Sequence, residues 1–330
     1  MSKLHLTMSC WDYDRTRALR ERSVEVEGID LNYLTLSVEE TFFRMMRHQE
    51  FDISEMSLSS YVVSLFQDDP PFIAIPVFVS RSFRHSGIYI HTGSGIKEPR
   101  DLIGKRIGNP EYQLTAVVWI RGILSDEFCV PVSSVRYLIG GQEEAGRFEK
   151  TGIELKPEIP VEPIGPGKTL AKMLETGEID AIYAPRAPST LFSNSAKVQR
   201  LFPDYATVER EYYCKTKIFP IMHVIVIRRD VYEQNPWVAQ SLYKAFLLAK
   251  RQATEDLRET AALKVTLPWV LSHVEETERL MGRDFWPYGL QGNAHTLQTF
   301  LRYSWEQGLS RRQLEPRELF APETLESFKI

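Results

Sequence analysis

The chain has 330 residues, is 43% hydrophobic and 25% charged, and carries a formal net charge of −4 at pH 7. Its length fits two domains of ordinary size, and its composition is that of a globular protein with a large core. The slightly acidic charge and the lack of a basic stripe argue against nucleic-acid binding, and no apolar run is long enough to predict a membrane span.

Cysteine usage and the N-terminus indicate a reducing compartment. The three cysteines, Cys10, Cys129 and Cys214, are far apart and odd in number, so we expect no disulfide framework. The first predicted strand begins a few residues after Met1, without a preceding apolar stretch or cleavage site. We therefore expect no signal peptide and a cytoplasmic location.

The first ninety residues alternate between predicted strands and helices. A short helix is predicted over 16–22, and Ser37 with Glu40 forms a capping-box pattern that predicts the start of an amphipathic helix. Apolar residues alternate or run together in four segments, which predict strands over 3–9, 29–36, 51–57 and 72–79. The alternation of strands with helices along the chain predicts a mostly parallel sheet in an α/β fold.

A second α/β unit is predicted after a strand at 87–91. Asn109 is expected to be the N-cap of a helix with Pro110 at its first position, following a strand at 106–108. Residues 140–168 are rich in Gly, Pro and Glu, which predicts loops with at most one short strand. Further along, we predict a helix over 169–176, strands over 179–183 and 222–227, a helix from 230 to about 257, and helical patches over 268–330.

Three strings of sequence mark this order of elements: EFDISEMS at 50–57, DLIGKRIGNP at 101–110 and ETGEIDAIYAPR at 175–186. They resemble the type II periplasmic-binding-protein fold, an α/β fold in which two lobes face each other across a cleft. The resemblance implies a discontinuous lobe one, formed by 1–90 and 219–330, and a lobe two formed by 91–218. A fold alone does not specify a function.

Four other strings carry a closer resemblance: CWDYDRT at 10–16, IPVFVSRSFRH at 75–85, GNPEYQLTA at 108–116 and YAPR at 183–186. Over nearly its whole length the chain is similar to the 4,5-dihydroxyphthalate decarboxylases. This resemblance implies a carboxy-lyase of phthalate degradation that converts 4,5-dihydroxyphthalate to protocatechuate and carbon dioxide.

Such a reaction needs an acid that protonates the ring carbon bearing the departing carboxylate, and cationic groups that hold the dianion. A phenol para to that carboxylate assists, so the chemistry requires no pyridoxal, thiamine or flavin, and we expect no cofactor. The seven histidines are dispersed and form no metal-binding motif, so we also expect no metal.

The catalytic candidates are His85, Glu111 and His223. His85 titrates near neutrality and lies with Arg81 and Arg84 where lobe one passes into lobe two. A carboxyl at Glu111, beside bound carboxylates, would be a proton donor with a raised pKa. The alternatives are a solvated connector for the first cluster, a first-turn helix acid for Glu111, and a core histidine for His223.

Substrate-binding candidates are aromatic, polar and cationic residues on loops expected to face the cleft. They would stack on the ring, donate to the carboxylates or accept from the phenols, and a helix N-terminus would hold one carboxylate. These candidates are Trp11, Asp12, Tyr13, Ser57, Arg81, Arg84, Asn109, Tyr112, Gln113, Thr115 and Arg186. Ordinary caps, turns and surface charges are the alternative interpretation.

The expected partner is a small aromatic dicarboxylate. A non-catalytic solute-binding or sensor protein is the main rival, but it would require a signal peptide, a lipid anchor or a DNA-binding segment. A related enzyme of thiamine-precursor synthesis would require a reactive Cys or His cluster, for which Cys10 is the candidate. Trp286, Phe300 and Trp305 motivate a hypothesis of self-association through the C-terminal helices.

Overall fold

A computed structural model describes residues 2–147, 149, 155, 157–193 and 196–325. Its strands are β1 Leu4–Ser9, β2 Ile29–Leu34, β3 Ile53–Ser57, β4 Phe72–Arg81, β5 Ile88–His91, β6 Arg106–Asn109, β7 Arg136–Ile139, β8 Val161–Pro163, β9 Ala181–Tyr183, β10 Val198–Arg200 and β11 Ile221–Arg228. Its α-helices are α1 Asp14–Arg20, α2 Val38–His48, α3 Leu58–Ser64, α4 Thr115–Phe128, α5 Leu170–Thr176, α6 Tyr205–Thr216, α7 Arg229–Gln234, α8 Trp237–Asp256, α9 Val270–Met281 and α10 Ala294–Glu306. None of these helices is long and apolar enough to cross a membrane.

The first sheet has five strands in the order β2-β1-β3-β11-β4. The strands β2, β1 and β3 run parallel, as their alternation with helices predicts, and β11 enters antiparallel between β3 and β4. Strand β11 thus returns to the first sheet after the whole second sheet has been formed. Its register places His223 beside Ser57 on one side and Ser80 on the other.

The second sheet has six strands in the order β10-β5-β9-β6-β7-β8. Strands β9, β6, β7 and β8 are parallel, whereas β5 pairs antiparallel with both β9 and β10. We take each sheet with the helices packed on it as one lobe. The boundary predicted after residue 90 falls within β5, which belongs entirely to the second sheet.

Local sequence patterns account for most of the elements, with one correction at the start of α4. Ser37 caps α2 as predicted, since its Oγ accepts from the Glu40 N–H at 3.3 Å. The prediction that Asn109 and Pro110 begin a helix is wrong, because Asn109 is the last ladder residue of β6 and α4 begins six residues later, at Thr115. The N-cap position is occupied by Leu114, which has no side-chain oxygen to cap the helix.

The C-terminal region packs against both lobes. Phe300 of α10 is buried against the Trp119 ring of α4, and the Trp286 Nε1–H donates to the Phe78 carbonyl at 2.8 Å. Trp305, on the same helix as Phe300, is 42% exposed. Two of the three residues that motivated the self-association hypothesis therefore have internal packing roles.

The crossing of α4 and α10 depends on Gly122. A Cβ atom at this position would lie 2.1 Å from the Tyr303 ring, which is far inside van der Waals contact. The two helices can therefore approach this closely only because residue 122 has no side chain.

We expect Gly122→Ala to lower the free energy of unfolding by about 1–3 kcal/mol, because overpacking outweighs the gain in helix propensity. Chemical denaturation measures this change. Ser125→Ala on the same helix is the control and should change stability by less than about 0.5 kcal/mol. Equal or greater stability of the Gly122 variant would contradict the packing described.

Candidate active site

A cleft of about 650 Å³ lies between the two sheets. Lobe one contributes the N-terminal half of α2 and His223 of β11, and lobe two contributes the loops after β6, β7 and β9. The parallel strands of lobe two end at this cleft, which is where open α/β sheets place their ligands. The cleft therefore has the position expected for a binding site of this fold.

A second cavity of about 820 Å³ lies wholly within lobe two, beside residues 139–168. Its described lining is mostly apolar and contains no histidine, and it shares part of the loop 141–147 with the cleft. We place the candidate active site in the smaller cleft, because cations, carboxylates and an imidazole converge there.

The central feature of the cleft is a pair formed by His223 and Glu55. The Nδ1 atom of His223 lies 2.6 Å from Oε1 of Glu55, whose side chain is fully buried. Oε1 also accepts from the Tyr13 hydroxyl at 2.6 Å, and Oε2 accepts from the Trp11 N–H at 2.9 Å. With Nδ1 directed to the carboxylate, Nε2 is the nitrogen left for a ligand in the cleft.

Electrostatics keeps this buried carboxyl group ionised. Burial alone would raise the pKa of Glu55, but the hydrogen bonds from His223, Tyr13 and the Trp11 backbone outweigh burial and hold the pKa below its usual range. The Phe42 ring packs edge-on against the imidazole, with the centroids 4.9 Å apart. The imidazole is thus held by a carboxylate behind it and an aromatic ring beside it.

Cys10 lies behind the same carboxylate. Its thiol is fully buried and lies 3.6 Å from Oε2 of Glu55. Burial, reinforced by the neighbouring Glu55 charge, raises the pKa of the Cys10 thiol well above its ordinary value. Since the thiolate is the reactive form, Cys10 does not have the properties of a nucleophile.

A buried polar cluster adjoins His223. Ser57, its neighbour across the sheet, shares a hydrogen bond with Thr115 Oγ1 at 2.8 Å, and the same oxygen accepts from the Ser59 N–H at 3.0 Å. Thr115 is the first residue of α4, so the Ser57 hydroxyl connects the strand neighbour of His223 to a helix N-terminus without a side-chain cap. Helix N-termini favour anions such as carboxylates.

Two side chains of this region have unmet hydrogen-bonding capacity. Both amide atoms of Asn109, at the carboxyl end of β6, and the Ser59 hydroxyl are buried without a hydrogen-bond partner among the described residues. Unpaired buried polar atoms are costly, so their presence is consistent with a ligand that completes them.

Three arginines line the cleft. Arg84 donates to the Met222 sulfur at 3.1 Å and towards the Pro185 carbonyl at 3.5 Å, and burial lowers its pKa to about 10, which still leaves it charged at neutral pH. Arg186 follows β9 and pairs with a carboxylate of α2. Arg147, in the loop after β7, was not among the predicted residues.

Glu111 is engaged by Arg147. The Nε and Nη2 atoms of Arg147 lie 2.9 and 2.7 Å from Oε1 of this buried carboxylate. Glu111 was predicted as a proton donor, but it is not among the residues that line the cleft, and its geometry is that of a counter-ion that positions Arg147.

His85 lies outside the cleft lining. It is buried among the rings of Phe128, Phe202 and Tyr212, at centroid distances of 6.5, 5.6 and 5.1 Å. This burial lowers the pKa of His85 to about 4, so the imidazole is neutral at physiological pH. We therefore do not assign to His85 the proton donation predicted from its sequence neighbours.

Several other predicted binding residues form hydrogen bonds or ion pairs with other parts of the protein. Arg81 is buried and donates to the carbonyls of Phe219 and Pro287, at 3.0 and 2.9 Å. The Tyr112 hydroxyl donates to the Gln307 carbonyl at 3.1 Å. The remaining predicted residues of this group have internal or surface partners, namely Gln113 with Glu149 and Asp12 with Arg20.

Glu55, like Arg147, is a residue of the candidate site that the sequence interpretation missed. It stands in the middle of the predicted strand 51–57, every residue of β3 is buried, and acidic residues are rarely buried unless paired. The signal that the sequence offered for Glu55 was therefore an acidic residue in the middle of a predicted strand. Trp11 and Tyr13, predicted from the loop after β1, contact this same carboxylate, although the Trp11 side chain is 41% exposed.

Comparison with known proteins identifies the family of the chain. No family model matches the chain. It is 44% identical over 330 residues to a 4,5-dihydroxyphthalate decarboxylase of Comamonas testosteroni, with 100% of both chains covered. The chain belongs to the 4,5-dihydroxyphthalate decarboxylase family. A decarboxylase of the same name from Pseudomonas putida is 43% identical over 213 residues, which cover 64% of this chain and 83% of the relative.

Solved structures show that this member of the decarboxylase family has a periplasmic-binding-protein-like fold. The periplasmic aliphatic sulphonate binding protein of Escherichia coli aligns with a TM-score of 0.51 and 12% identity, covering 98% of this chain and 99% of its own. The ligand-binding component of an ABC-type import system from Staphylococcus aureus gives 0.51 and 10%, with 98% of both chains covered. The predicted fold class and family are therefore confirmed.

The buried His85 predicts a pH-dependent stability. Its pKa is about 4 in the folded state against 6.5 ordinarily, so between these values the unfolded chain binds a proton that the folded chain excludes. The protein should therefore keep its full His85-linked stability above pH 6.5 and lose up to about 3 kcal/mol as the pH falls to 4. Urea denaturation at several pH values measures this slope.

His85→Phe, which cannot titrate, should flatten the slope, whereas His273→Gln, at an exposed position, should leave it unchanged. An identical slope in the His85 variant and the wild type would contradict the burial of a neutral imidazole.

Proposed function

We propose that this protein decarboxylates 4,5-dihydroxyphthalate to protocatechuate and carbon dioxide in phthalate catabolism, with His223 as the proton donor. The observation that carries the proposal is the pair formed by His223, in the wall of the cleft between the lobes, and the buried Glu55 behind it. The names of the decarboxylases that are 43–44% identical support the choice of substrate.

The cleft suits a planar dianion. Phe42 and Leu114 provide apolar contacts on opposite walls, and Arg84 and Arg186 supply positive charge. The carboxylate that departs would lie near His223 and the N-terminus of α4, where the Ser57–Thr115 pair and the Asn109 amide can donate hydrogen bonds. The carboxylate that is retained would lie at the mouth of the cleft, on Arg186.

The reaction begins with protonation of the ring carbon that bears the departing carboxylate. His223 in its imidazolium form transfers the Nε2 proton to this carbon, and the hydroxyl para to it delocalises the positive charge that develops in the ring. The bond between the ring and the carboxylate then breaks, its electron pair restores the aromatic ring, and carbon dioxide leaves. His223 ends neutral and regains a proton from solvent.

Glu55 supports this step without touching the substrate. An ionised carboxylate on Nδ1 fixes the orientation of the ring and stabilises the imidazolium, as in other carboxylate–histidine pairs of enzymes. A protein that only binds a solute has no need of such a pair behind its binding surface, which favours an enzyme over the solute-binding alternative.

The direct test is turnover of 4,5-dihydroxyphthalate by purified protein treated with a chelator and given no cofactor. We expect stoichiometric protocatechuate and carbon dioxide. His223→Gln should lower kcat by about 10²–10⁴-fold, because general acid catalysis is lost. His48→Gln, at an exposed position on α2, is the control. Tight binding of the substrate without product in the wild type would contradict the decarboxylase function.

Glu55→Gln tests the positioning role. The amide keeps the size of the side chain but removes the charge beside the imidazole, so the protonated donor is less stable. We expect kcat to fall and the alkaline limb of the kcat–pH profile to lie at lower pH than in the wild type. Glu50→Gln, at the exposed position before β3, is the control. A lowered kcat with an unmoved profile would indicate a merely structural role for Glu55.

A further inference from the structure

One ion pair joins the two lobes across the mouth of the cleft. Glu39 lies in the first turn of α2 in lobe one, and Arg186 follows β9 in lobe two. Oε1 of Glu39 is 2.6 Å from Nη1 of Arg186, and Oε2 accepts from Nη2 at 3.1 Å. Both residues line the cleft, so the pair occupies the position where a ligand carboxylate would meet Arg186.

The segment that carries Arg186 is anchored in lobe two independently of this pair. The Arg186 carbonyl accepts from the Gln142 side chain at 3.3 Å, and Glu143 holds Ser189 through its backbone N–H at 2.9 Å and its hydroxyl at 2.6 Å. Loss of the Glu39 contact therefore leaves the position of Arg186 defined by its own lobe.

A ligand carboxylate can replace Glu39 on Arg186 at little energetic cost. The side chains are 66% exposed for Arg186 and 33% exposed for Glu39, and accessible ion pairs contribute little net stability. A carboxylate from a ligand can form the same two-point contact with the guanidinium. When such a ligand displaces the Glu39 side chain, Arg186 thus exchanges one bidentate ion pair for an equivalent one.

Glu39 is ionised and hence a true competitor. Burial raises its pKa, but Arg186, its own backbone N–H and the nearby Arg147 outweigh that effect and hold the pKa below its usual range. At neutral pH the ionised Glu39 therefore pairs with Arg186, the most exposed arginine of the cleft, when no ligand is bound.

We propose that Glu39 is an internal competitor for the substrate, which occupies Arg186 in the empty cleft and yields it to the retained carboxylate of a dianionic ligand. The inference rests on the binding mode in the proposed function. After carbon dioxide has left, the product holds Arg186 with its one remaining carboxylate, and Glu39 displaces it. Glu39 thereby sets the affinity of the cleft for aromatic carboxylates and promotes product release.

The test uses phthalate, a dicarboxylate that lacks the hydroxyl groups needed for decarboxylation. By calorimetry, Glu39→Gln should bind phthalate about tenfold more tightly than the wild type, because the competitor for Arg186 is gone. Inhibition by protocatechuate should strengthen by a similar factor.

Two variants separate displacement from general electrostatics. Glu40→Gln makes the same charge change one residue away, where the carboxylate pairs with Arg44 at 3.0 Å on the same helix, and its phthalate Kd should stay within about twofold of the wild type. Glu39→Asp keeps the charge but shortens the reach to Arg186, so it should also tighten phthalate binding, by about threefold. Simple charge repulsion would instead leave the Asp variant like the wild type.

An unchanged or weaker phthalate affinity in Glu39→Gln, with or without a lower melting temperature, would overturn the proposal. The Glu39–Arg186 pair would then only hold the two lobes together. Absence of measurable phthalate binding to both wild type and variant would overturn it as well. Because phthalate is not turned over, these results are independent of decarboxylation, whose own failure would appear as an absence of protocatechuate in the wild-type reaction.

Discussion

The buried carboxylate of Glu55 imposes the main constraint on this site. An ionised group in a protein interior is tolerated only when hydrogen bonds and charge replace the lost water. Two segments supply those partners: the loop after β1, through Trp11 and Tyr13, and the strand β11, through His223. Since β11 lies 168 residues from Glu55 along the chain, the carboxylate is satisfied only when the chain has returned from lobe two.

The same constraint explains why catalytic and binding groups lie on different elements. Strand β11 places His223 beside Ser57, and Ser57 reaches across to Thr115 at the start of α4. In the proposed mechanism the donor thus belongs to lobe one, and the helix N-terminus that receives a carboxylate belongs to lobe two. In our account the chemistry requires both lobes together, and neither sheet alone contains the site.

Charge in the cleft is balanced in pairs. Arg147 is held by Glu111, and Arg186 is held by Glu39, so two of the three cleft arginines have internal carboxylate partners. The two partners differ in burial, since Glu111 is 0% exposed whereas Glu39 is 33% exposed. This difference makes the first pair a fixed support and the second one exchangeable.

The fold could be predicted from the sequence because periodicity, caps and strand order are local properties. The α/β alternation and the cap at Ser37 are examples. The start of α4 could not, because Asn109 and Pro110 also suit the end of a strand, and ladder pairing with Ile139 decided between them. His85 and His223 are chemically identical in the sequence, and only tertiary packing separates an imidazole among aromatic rings from one on a carboxylate.

The proposed reaction depends on His223 carrying the proton that the ring carbon receives. Nitrogen NMR of histidine-labelled protein, with phthalate in the cleft at neutral pH and with His223→Gln to assign the signals, tests it most directly. Our account predicts that both ring nitrogens of His223 are protonated in the complex and that the Nε2 signal shifts when phthalate binds. A neutral His223 in the complex, or signals that do not respond to phthalate, would contradict it.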